Sequence, residues 1–185
     1  MSHRSRRICL VGVRGVGKTT LIRSVIDELT WVDHLVGSTI LRGLAGEDFA
    51  RFDHLPPAVK QGYREEAIRW MERRQAREDR CILCDGHTSL LDESTGVVGP
   101  VFTELDCRFF RELILLEAPA DVVLAHRSAD PTKRRSLYPQ VIQAEILGER
   151  ASCQRIAHEW GMALHRLPSS HDPDVGRALK ELLEP

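Results

Sequence analysis

The run Arg7-Ile-Cys-Leu-Val-Gly-Val-Arg-Gly-Val-Gly-Lys-Thr-Thr20 divides into three parts with different physical demands. Arg7 to Val11 is a short apolar segment that stops at a glycine, the form of a strand buried on both faces of a parallel sheet. Gly12 to Thr19 satisfies every fixed position of G-x-x-x-x-G-K-[ST]. Glycines permit the backbone torsions that turn successive N–H groups toward one anion. Lys18 to Leu29 then carries apolar residues at Leu21, Ile22, Val25, Ile26 and Leu29, which is helical spacing. A strand, a glycine loop and a helix N-terminus together form a phosphate cradle. Gly12, Gly15, Val16, Gly17, Lys18, Thr19 and Thr20 are therefore the candidate triphosphate contacts, with Lys18 reaching the β- and γ-phosphates and Thr19 ligating Mg²⁺.

Outward from this loop, strand and helix patterns alternate. Leu35-Val36 reads as a weak strand and Ile40 to Phe49 as a short helix. Pro56-Pro57 opens a long helix over Ala58 to Arg80, with inward spacing at Tyr63, Ala67, Ile68, Met71 and Gln75. Cys81 to Cys84 is the next buried strand, followed by Asp85-Gly86-His87-Thr88 and a loop holding Gly96, Gly99 and Pro100. Leu113 to Leu116 is another strand, Ala120 to Arg127 a short helix, and Gln140 to Trp160 a long one. Met162 to Leu167 and Pro173 to Leu183 close the chain as strand and helix. This alternation predicts an α/β fold with a mainly parallel sheet, whose ligands sit at the carboxyl ends of the strands.

Composition excludes several classes. The chain has 185 residues and a formal net charge of -1, with 26 basic and 27 acidic side chains. That length predicts one domain, spanning 1–185. Near-neutral charge disfavours bulk nucleic-acid binding while leaving a local basic site open. No apolar run approaches the ~20 residues that span a bilayer, and the basic N-terminus lacks the features of a signal peptide. Five scattered cysteines (Cys9, Cys81, Cys84, Cys107 and Cys153) suggest reduced thiols in a cytoplasm. Cys81 and Cys84 lie three apart on a predicted strand, so they point to opposite faces and read as core rather than as a metal pair.

Two further segments carry chemistry. Asp85 ends the Cys81–Cys84 strand, which brings a carboxylate near the phosphate loop to hold Mg²⁺. Arg127, Lys133, Arg134 and Arg135 cluster between two helices. They are expected to form a basic lid, over about 127–139, that stabilises a transferring phosphoryl group. The charge-rich helix after Pro57 is expected to carry surface ion pairs. His87 and Thr88 are candidates for lining an acceptor pocket.

In their order along the chain these features resemble the nucleoside monophosphate kinases, and most closely the archaeal-type adenylate kinases. The resemblance rests on Gly12–Thr19, Leu41-Arg42, Leu55-Pro56-Pro57, Asp85-Gly86-His87-Thr88, Leu113 to Ala118 with Ala120-Asp121, the basic lid, and Arg150 in a helix ending near Gly161. It implies a three-layer P-loop kinase fold with a five-stranded parallel sheet and a short lid, using ATP and Mg²⁺. It also implies an acceptor-binding segment at about 37–80, with Gly37, Ser38 and Thr39 flanking the pocket and Arg42 holding the acceptor's phosphate. Arg127 and Arg134 or Arg135 would act from the lid, and Arg150 would follow the transferred group. One departure stands out: bacterial-type adenylate kinases carry an arginine soon after Asp-Gly, whereas here none follows until Arg108.

Two acceptor chemistries are consistent with these residues. A monophosphate brings its own anionic nucleophile and needs only cations and positioning. The arginine set favours it, with AMP the leading acceptor. A hydroxyl acceptor on a small metabolite, modified nucleoside or nucleic-acid group needs a base, for which Asp85, His87 and Asp53 are available. A non-kinase P-loop ATPase is the third reading.

Overall fold

The computed structural model describes residues 6–92, 95–130, 135–168, 172 and 174–184. Its centre is the strand β1 (Arg7–Val11), in the position given to it by four consecutive buried residues. Around it stand β2 (Val32–Val36), β3 (Cys81–Asp85), β6 (Glu112–Leu116) and β7 (Ala163–Leu167), in the order β2-β3-β1-β6-β7. All four pairings are parallel, with Leu10 level with Asp85 on one side and with Ile114 on the other. The expected five-stranded parallel sheet is present. Between β3 and β6 the chain also forms an antiparallel hairpin, β4 (Ser89–Asp92) with β5 (Val97–Pro100).

Helices cover both faces. Helices α1 (Lys18–Val25), α5 (Ala120–Ala129) and α7 (Val175–Leu183) pack against Ile8, Leu10, Leu83 and Ile114. On the other face α3 (Pro57–Glu78), α4 (Glu104–Phe109) and α6 (Pro139–Trp160) pack against Cys9, Val11, Ile82, Cys84 and Leu115. Cys81 belongs to the first layer and Cys84 to the second, as strand alternation requires. Among the described residues no helix is long and apolar enough to cross a membrane.

Several boundaries move for local reasons. The helix after the phosphate loop ends at Val25 and tightens into a 3-10 turn over Ile26–Glu28. The second strand is five residues long, not two. Its polar Asp33 is buried, and Arg74 of α3 satisfies it with a pair of hydrogen bonds at 2.5 and 3.0 Å, so a segment that looks polar in sequence forms the edge strand of the sheet. The helix expected at 40–49 is α2 (Gly37–Ala45), which gives way to a 3-10 segment over Gly46–His54.

Candidate active site

The phosphate loop adopts the torsions its glycines permit. Gly12, Gly15 and Gly17 have φ of 148°, 86° and 106°. At Gly12 a Cβ would also stand 2.5 Å from the Leu116 carbonyl oxygen of β6, so even alanine is shut out by backbone. Gly17 caps α1 in the left-handed conformation, leaving the first helical N–H groups free to face an anion. Val16 is buried beneath the loop, whereas Thr19 and Thr20 reach the surface. Lys18 is 7% exposed and folds back, donating from Nζ to the Gly12 carbonyl at 2.5 Å. Burial lowers its pKa, and the carboxylates of Asp85 and Glu149 oppose that shift.

Asp85 arrives from β3, the neighbour of β1. Its Oδ2 accepts from the Thr19 hydroxyl at 3.1 Å, and Oδ1 lies 3.9 Å from Lys18 Nζ. A hydroxyl and a carboxylate meeting at this distance, both hard oxygen donors, fit Mg²⁺. The left-handed glycines and the helix N-terminus fit the phosphates of ATP. Gly37 starts α2 beside the same strand end, its Cβ position 3.3 Å from the Asp85 carbonyl oxygen. Ser38 and Thr39 are exposed on the first turn of α2. Arg42 is exposed one turn further on, with its guanidinium 5.0 Å over the Phe49 ring. The segment expected to bind an acceptor thus presents a cation on an aromatic face.

His87 lies within the site. Its Nδ1 is buried without a hydrogen-bond partner. Burial pushes its pKa well below the usual histidine value, reinforced by the charges of Lys18, Arg14 and Arg135. The imidazole is therefore neutral at pH 7.

Thr88 corrects an expectation. It is 0% exposed, and both its N–H and its hydroxyl donate to the carboxylate of Glu149, each at 2.9 Å. It is a buried anchor and does not line an acceptor pocket. The sequence reading missed Glu149 itself, although a signal was available. Ile142, Ile146, Glu149, Cys153 and Ile156 form one stripe at helical spacing, and all five are buried. An acid in such a stripe must meet donors.

Two arginines also depart from expectation. Arg127, in the last turn of α5, lies against the phosphate loop, its Nε 3.4 Å from the Cβ position of Gly15, but it is engaged there by other partners. Its side chain is 1% exposed and pairs with Glu145 at 2.8 Å. It also donates to the carbonyls of Arg14 and Ser136, each at 2.9 Å. Tertiary contact with a buried acid thus makes it a brace under the phosphate loop, leaving one nitrogen, Nη2, buried without a partner. Arg150 is held by Glu117 at 2.6 Å, and Arg166 takes the other Glu117 oxygen. It is held in an ion pair at the end of β6, with its side chain 38% exposed. Arg135 stays near the site. It lines a small cavity with Arg14, Leu91, Arg127, Ser136 and Glu145, and its Nη1 lies 3.4 Å from the Cβ position of Gly15. Arg134 and Lys133, and with them the crest of the expected lid, lie outside the described residues. Asp53 is exposed in the 3-10 segment.

Comparison with known proteins supports this architecture. A shikimate kinase from Bacteroides thetaiotaomicron has a similar structure, with a TM-score of 0.61 at 17% identity, covering 97% of this chain and 99% of that one. An unliganded sugar kinase from a Janibacter species is similar too, with a TM-score of 0.59 at 17% identity over 96% and 94% of the two chains. No curated protein sequence matches the chain. The fold is thus that of P-loop kinases. A family model described as an AAA domain matches residues 11–140, most of the chain including the phosphate loop and Asp85, and the protein belongs to that family.

Proposed function

We propose that the protein is an ATP- and Mg²⁺-dependent phosphotransferase that acts on a hydroxyl group of a small molecule. The observation that carries the kinase reading is the contact of Thr19 with Asp85 beside the buried Lys18. These residues would hold the metal and the terminal phosphates, and bound Mg²⁺ would supply charge neutralisation at the transferring group. The hydroxyl reading is supported by the commitment of Arg127 and Arg150 to carboxylates. The arginine set that favours a phosphate acceptor is thereby reduced by two. The similar structures are named for shikimate and for a sugar, which offer hydroxyls. Asp85 and His87 are the base candidates. His87→Gln tests the histidine, since a true base loses rate while acceptor affinity persists. Asp85→Asn, which also removes a metal ligand, is read by rate beside Mg²⁺ affinity: a rate loss with Mg²⁺ affinity intact marks Asp85 as the base.

The narrower reading, transfer to a nucleoside monophosphate such as AMP, is supported by Arg42. It is exposed on an aromatic face, and among the described residues no carboxylate pairs with it. An ADP-release assay over sugars, hydroxy acids and nucleoside monophosphates decides between them. The proposal expects turnover with at least one hydroxyl compound, and loss of that turnover by a factor of about 10³ in Lys18→Ala. Turnover with monophosphates alone would establish the narrower reading. Rapid hydrolysis that no acceptor stimulates would instead identify an ATPase.

A further inference from the structure

Glu149 is only 2% exposed, yet its carboxylate accepts five hydrogen bonds. Oε1 accepts from the Gly12 N–H at 3.2 Å and the Thr88 N–H at 2.9 Å. Oε2 accepts from the Thr88 hydroxyl at 2.9 Å, the Ser89 N–H at 2.6 Å and the Ser89 hydroxyl at 2.7 Å. One oxygen atom therefore bridges two loops. Gly12 opens the phosphate loop, while Thr88 and Ser89 end the connection that carries Gly86 and His87 away from Asp85. The next peptide unit, Gly12–Val13, meets the nucleotide machinery, because the Gly12 carbonyl accepts from Lys18 Nζ at 2.5 Å.

A buried carboxylate is costly unless donors satisfy it, and this one saturates both oxygens. Apolar packing alone would be served as well by leucine in the α6 stripe. The acid instead fixes the distance between the two loops through contacts that are short and directional. We propose that Glu149 is a positioning residue that couples the phosphate loop to the connection over Gly86–Ser89, so that nucleotide bound at one loop rigidifies the other. The coupling rests on the phosphotransfer reading of the site. Through it, the acceptor side of the cleft becomes ordered when nucleotide is present.

The test follows amide exchange of Thr88 and Ser89 by hydrogen–deuterium exchange, with and without Mg·ADP, while calorimetry measures Mg·ADP binding. In the wild type, Mg·ADP should slow exchange at both amides by roughly fivefold or more. Glu149→Gln keeps the shape but brings an NH₂ group against at least one backbone N–H. That variant should bind Mg·ADP more weakly and show no slowing at Thr88 and Ser89 once saturated. Ser89→Ala removes a single donor from the set of five and tests the coupling should Glu149→Gln not fold. It should transmit a reduced protection to Thr88. Full wild-type protection in saturated, folded Glu149→Gln, or in Ser89→Ala if that is the variant that folds, overturns the proposal. Failure of the wild type to bind Mg·ADP would overturn the phosphotransfer reading itself, a separate result.

Discussion

Arg127 shows how one side chain's role depends on its partner. On sequence it is a cation in a basic cluster, poised for a phosphate. In the fold its guanidinium is shut in with Glu145, and that acid is itself only 6% exposed. Removing one member of a buried pair leaves the other charge uncompensated, at a cost of about 3–5 kcal/mol. Arg127→Ala should therefore destabilise the protein by that amount, seen as a lower urea midpoint. The double variant Arg127→Met, Glu145→Met should recover most of the loss, since apolar groups of similar volume replace buried pairs at little cost. If Arg127→Ala unfolded at the wild-type midpoint, the brace would be without energetic weight. Arg135 lines the same small cavity beside Gly15.

At the scale of elements, α4 offers a prediction with a definite sign. Thr103 caps it, and Asp106 completes a capping box by accepting from the Thr103 N–H at 2.7 Å and hydroxyl at 2.6 Å. Burial nevertheless raises the Asp106 pKa from 3.8 to about 6. A group whose folded pKa lies above its unfolded value contributes stability below about pH 3.8, and that contribution is lost as pH rises through about 6. At neutral pH the ionised Asp106 is thus a net cost. Asp106→Asn retains an accepting oxygen and should raise stability by about 1–3 kcal/mol at pH 7.5. Near pH 3.5 the gain should disappear, and urea titrations at both pH values check this. An equal effect at both would mean that charge is not the cause.

This box is legible in the sequence as Thr103-x-x-Asp106. The strands β1, β3 and β6 are legible because continuous apolar runs admit few other structures. β2 is legible only at Leu35-Val36, and the β4–β5 hairpin not at all, because distant residues stabilise them. Arg74 neutralises Asp33 from α3, and Glu149 anchors Ser89 from α6. Gly148 opens the space for Val98, whose Cγ1 stands 2.7 Å from where a Cβ would be. The same division holds at the site. Lys18, Thr19 and Asp85 lie in contiguous motifs next to strand ends, so local reading finds them. Which arginine meets a phosphate and which meets Glu145 or Glu117 is decided by tertiary contacts that no local pattern encodes.

For the whole molecule, the sheet order determines what nucleotide does to stability. β1 is central, and the phosphate loop leaving it touches several parts of the fold. Gly12 meets Glu149 of α6, and Gly15 offers its carbonyl to His126 Nδ1 of α5 at 2.8 Å. The Arg14 carbonyl is bonded to Arg127. A ligand closing on this loop therefore engages both helical layers and the centre of the sheet, and global unfolding must release it. If it binds only the folded state, free ligand at 100 times its Kd adds about 2.7 kcal/mol. For a chain of this size each kcal/mol raises Tm by roughly 2–4 °C, so Mg·ADP should raise Tm by roughly 5–10 °C. Lys18→Ala should abolish that rise at the same ligand concentration, because it removes the charge that faces the phosphates. Omitting Mg²⁺ should shrink the rise in the wild type through loss of the Thr19 and Asp85 contacts. A wild-type shift that survives in Lys18→Ala would locate nucleotide binding elsewhere in the molecule and leave the Gly12–Thr19 loop as a purely structural turn.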